Sequence, residues 1–246
     1  MITVNSPHPP GTVAYIAANN PRYGAFFDSI EQLRVPLGSV LAKSILYNAA
    51  RNRNEVANIM MGEWILFLDD DNVFDSQLLL SMLDRKVDIV AAPYPRRYPP
   101  FETVSFPCYH PETMACQRTD KPHIWTLNAW DDFSGKMGLI ETGATGFGAV
   151  LVRKKVLKAM EEKFGMPYFR VGKYDNTWVD EAFVKDEMQE DLSFCWAARK
   201  CGFKVYIDLD LAVGHMTEVK LAPLRDKDGR LRVISYIDGF CQWVTK

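Results

Sequence analysis

Short, continuous apolar runs, each stopped by a polar cluster and followed by a stretch of helical spacing, recur along this chain. Residues 12–18, TVAYIAA, end at Asn19, Asn20 and Pro21, and an amphipathic stretch over residues 23–33 follows. That order predicts the opening strand, loop and helix of a parallel sheet. A second strand is expected over residues 35–41. Ile45, Ala49, Asn52, Val56, Ile59 and Met60 then recur at helical spacing, and Gly62 stands where a helix would be capped. Residues 64–68, WILFL, are apolar at every position, as in a strand buried on both faces, and the run stops at Asp69, Asp70 and Asp71. A helix over residues 76–83 with Asp75 as its N-cap, and a strand over residues 87–92, come next. Residues 141–153, ETGATGFGAVLVR, join a small-residue loop to an apolar strand. Val156, Leu157, Met160 and Phe164 then share one face of a helix over residues 154–164. Leu192, Cys195, Trp196 and Arg199 mark a further helix that Gly202 ends, before a strand over residues 203–207, and LRVISYI at residues 231–237 alternates like a hairpin strand. The pattern predicts an α/β fold: one domain over residues 1–246, with a mixed, mainly parallel central sheet flanked by helices.

Composition narrows the class. The chain has 246 residues, 48% hydrophobic and 24% charged, with a net charge of -2. This is the balance of a soluble globular protein, and it argues against affinity built on broad neutralisation of nucleic-acid phosphates. Five cysteines without a CxxC pair fit a reducing compartment. No apolar run approaches the roughly 20 residues that cross a bilayer, and the opening MITVNSPHPPG lacks the order of a signal peptide. A cytoplasmic protein is expected.

The chemistry concentrates in two blocks. Three carboxylates at the end of a buried strand lie where open α/β sheets bind ligands. Carboxylates that converge without a basic neighbour repel one another, and a hard divalent cation, Mn2+ or Mg2+, relieves that repulsion. Extended geometry would send Asp69 and Asp71 to one side and Asp70 to the other. On the preceding helix, Arg51 and Arg53 are candidates for pairing with phosphate, with Arg51 preferred. Residues 93–101, PYPRRYPPF, form a stiff loop with two arginines and three aromatics, suited to substrate recognition. Gly143, Gly146 and Gly148 permit close backbone approach to a ligand or tight packing, in an order that is not the dinucleotide fingerprint. In the second block, Glu190 and Asp191 open a helix, and His215 follows a short apolar segment where its nitrogen could reach a cation held by Asp71.

Taken in order, DDD at residues 69–71, GATGFG at residues 143–148, ED at Glu190 and Asp191, and VGH at residues 213–215 resemble the GT-A glycosyltransferases, particularly the family-2-like group. The ARN of Ala50, Arg51 and Asn52 is similar to that group as well. The likeness runs over about residues 12–215. It implies a donor-binding half at about 12–92, an acceptor-binding and catalytic half at about 93–215, and a tail or lid at 216–246. It further implies transfer of a sugar from a nucleoside diphosphate sugar, UDP-sugar favoured, to an acceptor hydroxyl on a glycan, a protein or modified DNA. By the resemblance, Asp71, His215 and Asp69 hold Mn2+ or Mg2+. Ala17, Asn19, Arg51, Asp69, Asp70 and Gly146 contact the donor, and Asp191 with Glu190 forms the catalytic pair. The QxxRW motif of processive synthases is absent.

Two other readings share these residues. LDDDNV at residues 68–73 fits the nucleophile motif of haloacid-dehalogenase-type phosphatases, with Asp69 as nucleophile and Asp71 as acid/base. A non-catalytic sugar-binding scaffold of the same fold is the other.

Overall fold

The structure is a computed structural model that describes residues 1–17, 24–45, 48–97, 99, 101–106, 128–170, 189–225, 227–237 and 240–243. In chain order it contains β1 (Ile2–Val4), β2 (Thr12–Ile16), α1 (Gly24–Gln32), β3 (Arg34–Pro36), β4 (Val40–Ser44), α2 (Ala49–Asn58), β5 (Trp64–Asp69), β6 (Asn72–Phe74), α3 (Leu78–Asp84) and β7 (Ile89–Ala91). There follow β8 (Ser105–Phe106), β9 (Leu139–Thr142), β10 (Ala144–Thr145), β11 (Ala149–Arg153), α4 (Lys154–Phe164), α5 (Glu190–Lys200) and β12 (Val205–Asp208). Then come β13 (Val213–His215), β14 (Val219–Arg225), β15 (Leu231–Ile237) and β16 (Phe240–Trp243).

Seven strands form the central sheet in the order β4-β2-β5-β11-β7-β12-β9. β4, β2, β5, β7 and β12 run in one direction, while β11 and β9 oppose them. The sheet is therefore mixed and mainly parallel, as the pattern predicts. Both faces are covered. Ile65 and Phe67 of β5 face α2, α4 and α5, whereas Trp64, Leu66 and Leu68 face α1 and α3. Coverage on both sides explains why β5 shows no polar alternation in sequence.

Local departures from the sequence pattern have local causes. The strand expected over residues 35–41 is divided at a turn where Gly38 takes φ +84°, so β3 pairs with β1 and β4 with β2. α2 starts at Ala49, where the side chain of Asn48 accepts from the N–H of Arg51, and it ends before Ile59. Ile45 therefore lies outside the helix. Asp75 does not N-cap α3; its carboxylate accepts from Gln77 N–H in the turn ahead of that helix. Gly62 is not the helix cap either. It sits beyond the helix at φ +82°, in a left-handed conformation against the backbone of Pro10 and Gly11. A side chain there would meet Gly11 Cα at 2.7 Å. Gly62→Ala is expected to destabilise the fold by about 2 kcal/mol or more, from left-handed strain plus the clash, read as a lower urea midpoint.

Candidate functional site

The carboxyl ends of β2 and β5 lie side by side, with Ile16 paired to Asp69. Asp69 continues the parity of Ile65 and Phe67 and so points to the α2 and α5 side. There Arg53 meets it: Nη2 donates to both carboxylate oxygens at 3.0 and 3.1 Å, and Nη1 donates to Glu190 Oε1 at 2.7 Å. Arg53 is 4% exposed, and its guanidinium lies 5.5 Å from the ring centre of Phe147 and 6.0 Å from that of Phe169. Burial opposes its charge, but Asp69, Glu190 and Asp191 together hold its pKa above the ordinary value. Burial also pushes Asp69 up, against the pull of Arg53.

Strand parity stops at Asp69, because Asp70 and Asp71 form a turn into β6. Asp69 and Asp71 therefore face different partners. β6 pairs antiparallel with β13, setting His215 opposite Asn72, and Met216 N–H donates to the carbonyl of Asp71 at 2.7 Å. His215 Nε2 lies 3.2 Å from Asp71 Oδ2, and Arg97 Nη1 lies 3.2 Å from the same oxygen. His215 Nδ1 is 2.8 Å from the carbonyl of Pro95, which can only accept, so Nδ1 carries a proton toward it and Nε2 is the nitrogen turned to Asp71. Tyr94 supports the imidazole edge-on, with ring centres 5.2 Å apart. Burial pushes the Tyr94 phenol well above its ordinary pKa.

Tyr94 also accounts for the glycine loop. Gly148 N–H donates to Tyr94 Oη at 3.1 Å, and its carbonyl accepts from Asp69 N–H and Asn72 Nδ2. A Cβ at Gly148 would stand 2.7 Å from the Tyr94 ring and 2.8 Å from Asn72 Nδ2. Gly146 likewise abuts Tyr94 Oη and Val104. Of the two uses open to these glycines, the described residues show tight packing.

Ala17 is buried at the end of β2; its N–H donates to Ser44 and its carbonyl accepts from Asn52 Nδ2 at 3.2 Å. Ser44 Oγ bonds in turn to Asn52 Oδ1 and to Glu55. Arg51 is exposed, one position out of phase with Ala50, Arg53 and Ala57, which α2 buries. Asn19 lies outside the described residues. Asp70 is buried in the turn, where its N–H donates to the carbonyl of Ile16 at 3.1 Å. Glu190 and Asp191 occupy the first turn of α5, but they differ in surroundings. Glu190 is taken by Arg53, whereas Asp191 accepts from Leu192 N–H, and burial beside Glu190 pushes its pKa up to about 6. Sequence reasoning undervalued Arg53 and gave Arg97 no site of its own. Arg53 could have been found by its helical phase, three residues from Ala50 and Val56.

No family model matches the sequence, and a comparison with curated proteins finds no match. A crystal structure of GalNAc-T7 with UDP, GalNAc and Mn2+ superposes over 83% of this chain, with a TM-score of 0.50 and 9% identity. The chain has a GT-A-like fold. It spans 42% of the GalNAc-T7 chain. A crystal structure of A197 from STIV aligns over 89% of this chain and 92% of its own, at 15% identity and a TM-score of 0.48. In this GT-A-like frame the acidic edge of β5, the start of α5 and β13 adjoin one another. No helix among the described residues is long and apolar enough to cross a membrane.

Removing Arg53 would leave Asp69 and Glu190 facing each other with their cation gone. Arg53→Met is expected to cost about 3–5 kcal/mol in denaturant unfolding. Arg53→Lys should also be destabilising, because one ammonium cannot fork to both acids.

Proposed function

We propose that the protein is a divalent-metal-dependent glycosyltransferase that moves a sugar from a nucleoside diphosphate sugar, with a UDP-sugar favoured, to an acceptor hydroxyl. The observation that carries this reading is the approach of Asp71 and His215 to 3.2 Å beside the carboxyl end of β5. Residues far apart in sequence supply one oxygen and one oriented nitrogen there. Among the described residues no three His, Cys, Asp or Glu side chains gather into a closed cage. Two protein ligands nevertheless suit a cation that completes its shell with phosphate oxygens and water. The nitrogen donor makes Mn2+ a better fit than Mg2+, whose sites are built from oxygen. Bound to Asp71 and His215, the ion would neutralise the charge of the departing diphosphate.

The remaining residues divide the work. Arg53 fixes Asp69 at the strand end and ties it to the start of α5. The Ala17 strand end, with Asn52 and Ser44 beneath it, adjoins this edge and is the proposed nucleoside side, in the half over about residues 12–92. Asp191 is the proposed general base for the acceptor hydroxyl, since a carboxylate lifted to about 6 accepts a proton more readily than an ordinary one and is still ionised at neutral pH. Glu190 acts through Arg53 as a positioning residue. The phosphatase reading is less well supported, because it needs a free nucleophilic oxygen on Asp69 and Arg53 engages both.

Release of nucleotide from a panel of UDP-, GDP- and TDP-sugars, with and without Mn2+, tests the reading. Metal-dependent release is expected from one donor, and phosphate release from simple phosphoesters instead would favour the phosphatase. Asp71→Ala and His215→Ala should each abolish metal-dependent nucleotide binding in calorimetric titration; unchanged affinity in both would sink the assignment. Asp191→Asn should retain donor binding but lower turnover by about 10²–10⁴-fold. The acid limb of kcat/KM should fall with an apparent pKa near 6 and vanish in that variant. The sign for stability is opposite. Because the folded pKa is raised, ionised Asp191 penalises the fold as pH climbs from about 4 to about 6, and fully above that. Asp191→Asn should therefore raise the Tm at pH 8 more than at pH 4.

A further inference from the structure

We propose that Arg97 is a stored phosphate-recognition residue, which competes with the divalent cation for Asp71 and, once displaced, pairs with the donor's diphosphate. The inference rests on the reading of Asp71 and His215 as the cation's ligands. Its basis is the crowding of one atom: Asp71 Oδ2 has His215 Nε2 and Arg97 Nη1 each at 3.2 Å. A cation bound to that oxygen would be repelled by a guanidinium held on the same atom, so one of the two neighbours must move. His215 is the better anchored. Its Nδ1 is tied to Pro95, its ring rests on Tyr94, and its strand β13 is paired to β6. The Arg97 side chain is 35% exposed, and an ion pair with that access to water is weak.

The backbone that carries Arg97 need not move. Pro95 and Thr103 form a β-bridge, Arg96 N–H donates to Glu102 at 2.8 Å, and Val104 N–H donates to Tyr94 at 3.0 Å. This hairpin base delivers both the carbonyl that orients His215 and, two residues on, the guanidinium that competes at Asp71. Once displaced, Arg97 stays beside the cation site and offers a planar fork matched to phosphate oxygens. The same side chain thus restrains binding of metal alone and favours binding of metal and diphosphate together.

The test is Mn2+ titration by electron paramagnetic resonance without nucleotide, and calorimetric titration of UDP at saturating Mn2+, on wild type, Arg97→Ala and Arg97→Lys. Arg97→Ala should bind Mn2+ alone about fivefold more tightly, as expected for loss of a part-exposed competing pair. Its affinity for UDP with Mn2+ should fall about tenfold, as expected for loss of a charged hydrogen bond. Arg97→Lys keeps the charge and loses the fork, so Mn2+ affinity should stay within about twofold while UDP affinity falls nearly as far as in Arg97→Ala. Weaker binding of both ligands by Arg97→Ala would mark a merely structural brace and overturn the proposal, as would wild-type UDP affinity in Arg97→Lys. A wild-type protein that binds no Mn2+ even with UDP would instead remove the cation reading, and this inference with it.

Discussion

The buried fork of Arg53 between Asp69 and Glu190 is the constraint on which the rest of the site depends. It joins the end of the central strand to the first turn of a helix from the far half of the sequence. An arginine this deep is tolerable only with both acids in place, since each charge offsets part of the burial penalty of the others. Phe147 and Phe169 lie against it and Phe194 packs on both, with ring centres 4.6–4.9 Å apart, and this apolar enclosure both raises the cost of losing a partner and strengthens the pairing that remains. Helices α2 and α5 are thereby locked in register with β5, and Asp191 is carried to a defined place beside the acidic edge.

A second consequence is a separation of charge. Asp69 is neutralised from the α2 side, so the following turn presents Asp71 toward β13 without a rival acid competing for the same partner. β6 and β13, only three residues each, matter out of proportion to their length. Their pairing fixes His215 across from Asn72, and Asn72 is itself bonded to the Gly148 carbonyl that also takes the Asp69 N–H. The glycine loop is thus part of the same framework: small residues let Tyr94 come close enough to brace both the loop and the imidazole.

Much of the fold was legible because β5 is apolar on both faces and α4 shows a single buried stripe of Val156, Leu157 and Met160. The acidic triplet and the late histidine were legible as chemistry because neither has a packing reason to stand at a strand end. Three features escaped. Treating residues 69–71 as continuous strand put Asp69 and Asp71 on one side, and a turn is what separates them. The Arg53 fork has no local signature in the sequence, since a buried arginine needs both its acids and one of them lies 137 residues away. The β6 and β13 pair was invisible because two three-residue strands carry no periodicity of their own.

Three carboxylates of this edge are thus set apart by surroundings alone. Asp69 is committed to a guanidinium, Asp71 shares one oxygen between an imidazole and a part-exposed arginine, and Asp191 is part-buried with a like charge as its neighbour. Environments that push like groups apart let one site give the same functional group different roles, which in the proposed reading are fixed, exchangeable and proton-accepting. The fixed one must be satisfied by the protein itself, and it is. The exchangeable one must have partners that can be replaced, and a part-exposed arginine meets that condition. The proton acceptor must lack a directly paired cation, because pairing would lower its basicity; burial first and Glu190 second raise the Asp191 pKa, and Arg53, forked to Asp69 and Glu190, offsets them only in part. A rearrangement that freed Arg53 toward Asp191 would therefore lower the Asp191 pKa and loosen the strand end together, which ties the geometry of the fold to the electrostatics at its edge.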